Sequence, residues 1–162
     1  MSNEKDRFIH ADLSRCLACK SCELACGLAH AGCEIEGAAS GQMKLKPRMR
    51  VLQQGTTVVI AQCRQCEDAP CVKVCPNGSL YQEEGIVKLN RETCIGCKLC
   101  AKACPFDSIT MTTEVVERSD GRKNNRTKAL KCDLCFSRNK EIKAEGCACI
   151  QACPTKALSL SL

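Results

Sequence analysis

Aromatic side chains are nearly missing from this chain, with 3 Phe, 1 Tyr and no Trp in 162 residues. Phe8, Tyr81, Phe106 and Phe136 cannot supply the large packing groups on which a core of this size usually draws. Their scarcity also removes the stacking platforms expected of a nucleic-acid binder. Long apolar runs are missing as well. The longest, Val58-Val59-Ile60-Ala61, is one strand long, far below the roughly 20 residues of a membrane-spanning helix. Met1 to His10 holds no apolar signal core, no small-residue cleavage site and no twin arginine. With Leu162 just after the last cysteine group, neither a membrane anchor nor a partner-binding extension is expected. We therefore expect a cytoplasmic protein with no direct membrane insertion, tied to a membrane inner face only through partners. No nucleophile–base pair, phosphate-loop glycine motif or flavin fingerprint appears, so the chain is not expected to be an independent enzyme.

What the chain has instead is cysteine, 18 residues of it. A disulfide scaffold is the usual meaning of that in a short secreted chain, but without a secretion signal the thiols are expected to hold metal. Sixteen of them fall into four groups. Cys16, Cys19, Cys22 and Cys26 read C-x2-C-x2-C-x3-C, and Cys63, Cys66, Cys71 and Cys75 read C-x2-C-x4-C-x3-C-P. Cys94, Cys97, Cys100 and Cys104 read C-x2-C-x2-C-x3-C-P, and Cys132, Cys135, Cys149 and Cys153 read C-x2-C-x13-C-x3-C-P. Cys33 and Cys147 are left over.

The C-x2-C-x2-C-x3-C-P run is the bacterial ferredoxin signature of a [4Fe–4S] cluster. Three thiolates on a short loop can each reach a different iron of one cubane, while the fourth, on the following helical turn, points to a second cluster. A tetrahedral zinc site takes two ligand pairs separated by a longer loop. Three cysteines within seven residues suit it poorly, which leaves a zinc-stabilised interaction module as the remote alternative. Disulfides at C-x2-C spacing would be redox-active rather than structural.

The groups sit in repeated surroundings. Ile86-Val-Lys-Leu-Asn90 sets Asn90 four residues before Cys94, and Phe8-Ile-His-Ala-Asp12 sets Asp12 the same distance before Cys16. Cys75-Pro-Asn-Gly-Ser-Leu80, Cys104-Pro-Phe-Asp-Ser-Ile109 and Cys153-Pro-Thr-Lys-Ala-Leu158 share one pattern: two turn-compatible residues, a small one, then an apolar one that opens a strand. The repeating unit is strand, cluster loop, short helix, turn, strand. Such a unit cannot bury its own face, so units should pair around shared clusters.

On these motifs the chain resembles the four-cluster iron–sulfur electron-transfer subunits that accompany molybdenum oxidoreductases, formate hydrogenlyase and carbon monoxide dehydrogenase. The resemblance runs from about Asp6 to Leu160. Cys16-Leu-Ala-Cys-Lys-Ser-Cys-Glu-Leu-Ala-Cys26 with His30 is most similar to the carbon monoxide dehydrogenase partner. Cys63-Arg-Gln-Cys-Glu-Asp-Ala-Pro-Cys71 and Lys131-Cys-Asp-Leu-Cys135 are shared more widely. The resemblance implies an α+β fold of short strands and short helices in two bis-[4Fe–4S] ferredoxin-like modules, one inserted in the other. Residues 53–112 would form the inserted module, and 1–52 with 113–162 the outer one. It implies crossed ligand sets: Cys16, Cys19, Cys22 with Cys153; Cys63, Cys66, Cys71 with Cys104; Cys94, Cys97, Cys100 with Cys75; and Cys132, Cys135, Cys149 with Cys26. Single electrons would pass along the four clusters from carbon monoxide dehydrogenase to a second redox partner such as a hydrogenase. The alternative partner is a formate dehydrogenase–hydrogenase complex.

Smaller expectations follow. Cys149 keeps the x3 spacing to Cys153, so Cys147 is expected to be a buried neighbour and Cys33 an apolar filler. Gly27, in place of a proline after Cys26, lets the first helix run on through Ala31. His30 should lie near the first cluster as a packing or hydrogen-bonding residue. Tyr81, Phe106, Leu17, Ile95 and Leu134 should shield clusters, and Gly96 should let backbone N–H groups approach cluster sulfur. Arg118 to Lys131 reads as an exposed loop or hairpin, with a docking patch or a counter-charge for a cluster as its functional alternative. The formal charge of +6 describes the apo polypeptide only. Sixteen bound thiolates against four cores of about +2 each bring it to roughly −2, which removes the case for nucleic acid.

Overall fold

The computed structural model describes residues 7–41, 43–117 and 119–161. Met1 to Asp6, Gln42, Arg118 and Leu162 lie outside the described residues, and with them the first half of the N-terminal stretch discussed above and one cation of the 118–131 stretch.

Four antiparallel two-stranded ribbons make up the strand structure. They are β1 (Phe8–Ala11) with β8 (Leu158–Ser161), β2 (Arg50–Gln54) with β3 (Thr57–Ala61), β4 (Leu80–Glu83) with β5 (Ile86–Leu89), and β6 (Thr110–Glu117) with β7 (Lys123–Leu130). Between them lie α1 (Ser21–Ala31), α2 (Ile35–Ala39), α3 (Pro70–Lys73), α4 (Leu99–Ala103), α5 (Phe136–Asn139) and α6 (Ala148–Gln151). This is a small mixed α and β fold of short pieces. The local chemistry is legible in several of them. Glu84 and Gly85, with φ of 52° and 74°, form the two-residue link between β4 and β5, where a hairpin turn twisted to match its strands needs left-handed residues. Asp12 and Asn90 each accept a backbone N–H two residues on, from Ser14 and Glu92 at 3.0 Å, closing the same turn before two cysteine loops. As expected, α1 continues through Cys26 and Gly27 to Ala31. Leu80 and Leu158 open strands, and Ile109 precedes one directly.

Pairing of β1 with β8 brings the two chain ends together, with Phe8 opposite Ser161 and Ala11 opposite Leu158. The packed interior falls into two clusters. Ile9, Met49, Val51, Leu134 and Leu158 surround Cys22, Cys26, Cys63, Cys132, Cys147 and Cys149. Ala69, Leu80, Val87, Ile109 and Ala129 surround Cys71 and Cys100. No aromatic side chain belongs to either cluster, and cysteine takes the place of large residues in both.

The basic stretch Lys44–Arg50 is a strap tied down by ion pairs. Arg48 Nη1 lies 2.9 Å from Asp133 Oδ1 with both side chains largely buried, Arg50 Nη2 lies 2.8 Å from Asp107 Oδ2, and Met49 is buried between them. The 118–131 stretch is mostly strand β7, paired with β6 over eight residues. Its last member, Lys131, is only 3% exposed, so the expectation of a solvated stretch fails there. Residues 53 and 112, where the sequence suggested module limits, lie inside β2 and β6. Among the described residues, no helix is long and apolar enough to cross a membrane.

Candidate functional site

The cysteine loops repeat one backbone device. In the first C-x2-C segment of each of the four groups the residue before the second cysteine is left-handed: Ala18 (φ 53°), Gln65 (52°), Gly96 (71°) and Leu134 (56°). All three Cys-Pro turns place a left-handed residue third after the cysteine, at Gly78 (66°), Asp107 (47°) and Lys156 (51°). A non-glycine residue there costs roughly 1–2 kcal/mol, and such strain gathers where the surroundings over-determine a functional geometry. The bends turn backbone N–H groups onto sulfur. Leu134 N–H donates to Cys132 Sγ at 3.4 Å, Leu80 N–H to Cys75 Sγ at 3.5 Å and Ala157 N–H to Cys153 Sγ at 3.2 Å. Arg48 N–H reaches Cys26 Sγ at 3.3 Å and Ala129 N–H reaches Cys94 Sγ at 3.5 Å. Gly96 has a different reason from the one expected of it. A Cβ there would lie 2.2 Å from the carbonyl oxygen of Thr127, so the passage of β7 across the loop demands glycine.

The fold gathers thiols from distant parts of the chain. Cys16, Cys19, Cys22 and Cys153 line one small enclosed cavity of about 20 Å³. Cys75, Cys94, Cys97 and Cys100 line a second of about 20 Å³. In each, three thiols come from one loop and the fourth from a remote Cys-Pro turn. The remaining thiols stand near one another: Cys66 and Cys71 each feel Cys63 and Cys104, Cys71 also Cys100, and Cys149 feels Cys132, Cys26, Cys135 and Cys22. Among the described residues, no three Cys, His, Asp or Glu converge on a point as one metal ion would need. A cubane instead offers separate iron corners, around which its thiolates stand apart.

The donor set fits such a group. Burial pushes the Cys22 and Cys71 thiols up to about 11 and Cys132 up to about 12. These thiols stay protonated in the apo chain at neutral pH, and cluster loading must release their protons to iron. Cys135 goes the other way, to about 4, because the Cys147 thiol hydrogen-bonds to it and His30 stands beside it. Cys147 itself is pushed up by that bond and by burial.

Several expectations change at this level. His30 Nε2 lies 3.8 Å from Cys135 Sγ, so it serves the fourth cysteine group and not the first. One helical turn separates His30 from Cys26 on α1, which puts both on one face. Of the five residues expected to shield clusters, only Leu134 is buried. Leu17 and Ile95 are 70% and 65% exposed, and Tyr81 and Phe106 are half exposed. Leu17 and Ile95 nevertheless line the two cysteine cavities from outside.

Gln65 and Lys131 stand in the quoted motifs with no role assigned to the first and a solvated one favoured for the second, yet both are buried beside cysteine loops. Ser108 was visible only as a small residue after a Cys-Pro turn. Its hydroxyl lies 3.1 Å from Cys104 Sγ. Hydrogen bonds to cluster sulfur raise the reduction potential. Ser108→Ala should therefore lower the midpoint of one cluster several-fold in its one-electron equilibrium, a net hydrogen bond contributing about 1 kcal/mol. Redox titration with unchanged iron content checks this; an unmoved midpoint would sink it.

Paired crossed thiol sets, sulfur-directed amides and a cysteine-rich core define an iron–sulfur protein. The comparisons with known proteins say which kind. A family model described as a 4Fe-4S dicluster domain matches residues 55–162, and one described as a 4Fe-4S binding domain matches residues 13–29. The chain belongs to this ferredoxin-like 4Fe-4S family. It is 43% identical to an iron-sulfur protein of Rhodospirillum rubrum, over 94% of this chain and 80% of that protein. It is 40% identical to electron transport protein HydN of Escherichia coli K12, over 94% of this chain and 86% of that protein. It is also 33% identical to formate hydrogenlyase subunit 2 of the same organism, over 96% of this chain and 81% of that protein. The protein is thus an iron–sulfur electron-transport protein that binds multiple [4Fe–4S] clusters.

Proposed function

We propose that the chain is a four-cluster electron relay, with no catalytic centre of its own, working as a subunit of an oxidoreductase complex. Its clusters are held by Cys16, Cys19, Cys22 and Cys153; by Cys63, Cys66, Cys71 and Cys104; by Cys75, Cys94, Cys97 and Cys100; and by Cys26, Cys132, Cys135 and Cys149. The observation that carries this is the lining of the two small cavities, each by three thiols of one loop and a fourth from far along the chain. Two bis-cluster modules, one inserted in the other, follow from the same crossing. Closure of the outer one is supported by the pairing of β1 with β8 and the contact of α1 with α6.

Neighbouring thiols between sets suggest the order. Cys22 acts on Cys149, Cys63 on Cys132, and Cys100 on Cys71. The sequence of sets is then Cys16's, Cys132's, Cys63's and Cys94's. The two terminal sets contain Cys19 and Cys97, which alone among the cysteines are exposed. Beside them stand Leu17 and Ile95, apolar groups suited to docking two redox partners at opposite ends. Each bound cluster supplies one-electron chemistry. The chain's own groups hold it, keep water from the middle sets, and aim N–H dipoles at sulfur. Four ligands per cluster leave no open iron for substrate.

Iron and acid-labile sulfide analysis tests this. We expect about 16 Fe per chain from four Fe4S4 clusters in anaerobically purified protein. Mostly zinc, or fewer than three clusters, defeats the proposal.

For the partner, two readings each have a feature in their favour. The Cys16–Cys26 stretch with His30 resembles the carbon monoxide dehydrogenase partner, which would hand electrons on to a hydrogenase. The formate hydrogenlyase subunit among the relatives favours a formate dehydrogenase–hydrogenase complex equally well. In both, the protein works in the cytoplasm and meets a membrane inner face only through partners. Anaerobic co-purification decides between them by which dehydrogenase is recovered.

A further inference from the structure

Lys131 is a charged residue in the wrong kind of place. It is 3% exposed, and among the described residues no carboxylate lies within ion-pair distance of it. Its Nζ donates to two carbonyl oxygens, those of Val87 and, at 2.7 Å, Cys132. Burying an ammonium with only neutral acceptors costs several kcal/mol, so a protein without a use for the charge would carry methionine there. Both acceptors belong to one junction. Val87 lies on β5, in the second packed cluster, and Cys132 opens the fourth cysteine group, in the first. Gln65, 1% exposed, ties the same two residues: its Nε2 donates to Cys132 O at 3.0 Å, and its Oε1 accepts Val87 N–H at 3.0 Å. Gln62 Nε2 adds a contact of 3.7 Å to Cys132 Sγ.

We infer that Lys131 is a potential-setting residue, its ammonium acting as shared counter-charge to the two middle clusters where the chain of cofactors passes from one module to the other. This rests on the ligand sets proposed above. Its neighbours support it, since Lys131 adjoins Cys132 and bonds its carbonyl oxygen, while Gln65, from the loop of Cys63 and Cys66, holds that same carbonyl and the Val87 amide. Those loops belong to different sets, so one buried charge faces two clusters. Each oxidised cluster with four thiolates carries about −2 and gains one negative charge on one-electron reduction. A nearby cation stabilises the reduced form more than the oxidised one and raises the midpoint. Acting on both clusters, it raises the two middle midpoints together. In return, the clusters provide the negative charge that the fold does not place beside Lys131.

The experiment uses the full chain purified anaerobically, with Lys131→Met to remove charge and donors, and Lys131→Gln to remove charge while keeping an amide donor. Lys140→Met, at an exposed lysine lining the open cavity on the same side, serves as control. Iron content is measured first, then midpoints by redox titration followed by EPR. The expected result is full iron in both Lys131 variants with two of four midpoints lowered at least tenfold in the one-electron equilibrium, about 59 mV for one electron. The other two midpoints, and all four in Lys140→Met, should stay put. Full iron with four unmoved midpoints overturns the inference and leaves the four-cluster reading intact. Loss of iron from both Lys131 variants overturns it in favour of a purely structural lysine. Mostly zinc, or fewer than three clusters, in the unmutated chain overturns both.

Discussion

Cys149→Ser should lose one cluster, about four of some 16 irons per chain, while Cys147→Ser should keep all four. The two thiols stand two residues apart at the start of α6, both buried, and residue type alone cannot separate them. Their surroundings differ. Both feel Cys132 and Cys135, but Cys149 also feels Cys26 and Cys22, a ligand of the same set from α1 and a ligand of the next. Cys147 is fully buried and donates its S–H to the carbonyl oxygen of Leu134 at 3.6 Å. The same S–H is shared with the Cys135 sulfur, which makes Cys147 a partner of a ligand sulfur. Iron analysis and EPR of the reduced protein distinguish the variants, with Cys147→Ser moving one midpoint while retaining the signal. The reverse pattern would make Cys147 the ligand and break the x3 spacing to Cys153.

Gly96→Ala should be the most damaging substitution outside the cysteines. The residue sits at φ 71°, and the new Cβ would lie 2.2 Å from Thr127 O and 2.9 Å from its carbonyl carbon. A strand backbone held in an eight-residue ladder cannot step aside, so either the loop or β7 must give. Strain and overpacking together should cost roughly 3 kcal/mol or more, or roughly 10 °C in the unfolding midpoint of a chain this size. Iron bound by the Cys94 loop should go with it. Gly78→Ala is the control. It is also left-handed, at φ 66°, but nothing lies within 4 Å of its Cβ position, so only the backbone penalty of roughly 1 kcal/mol applies. Thermal unfolding followed by cluster absorbance checks both, and equal losses would show that conformation, not the close approach of Thr127, sets the cost.

The contrast among the four loops also marks what could be read from the sequence. The repeat was legible because it is local. Asp12 and Asn90 each close a turn at a fixed distance before a cysteine loop. Strands open where an apolar residue follows Cys-Pro, since proline and the turn residues leave the chain little else to do. Burial was less legible, because it is decided by what the rest of the chain brings. Leu17 and Ile95 were expected to be covered, yet they face outward over the cysteine cavities. Lys131 ends a stretch rich in cations and was expected in solvent, yet β5 and the Gln65 loop close over it. His30 was assigned to the nearest group in sequence, but α1 turns it to Cys135. Each miss concerns a contact made by residues remote in sequence, which a local pattern does not record.

The antiparallel pairing of β1 with β8 has a consequence for synthesis. In the proposed arrangement, Cys16, Cys19 and Cys22 share a cluster with Cys153, which is translated long after them. At about 5–20 residues per second, those three thiols wait on the order of 10 s for their fourth partner. The sets built around Cys71 and Cys100 close sooner, because all their ligands lie between Cys63 and Cys104. Cluster loading should therefore follow the order of translation, the middle of the chain first and its two ends last. A nascent chain stalled before Cys153 would then expose one open thiol trio, Cys19 among it, to oxygen and to competing metals.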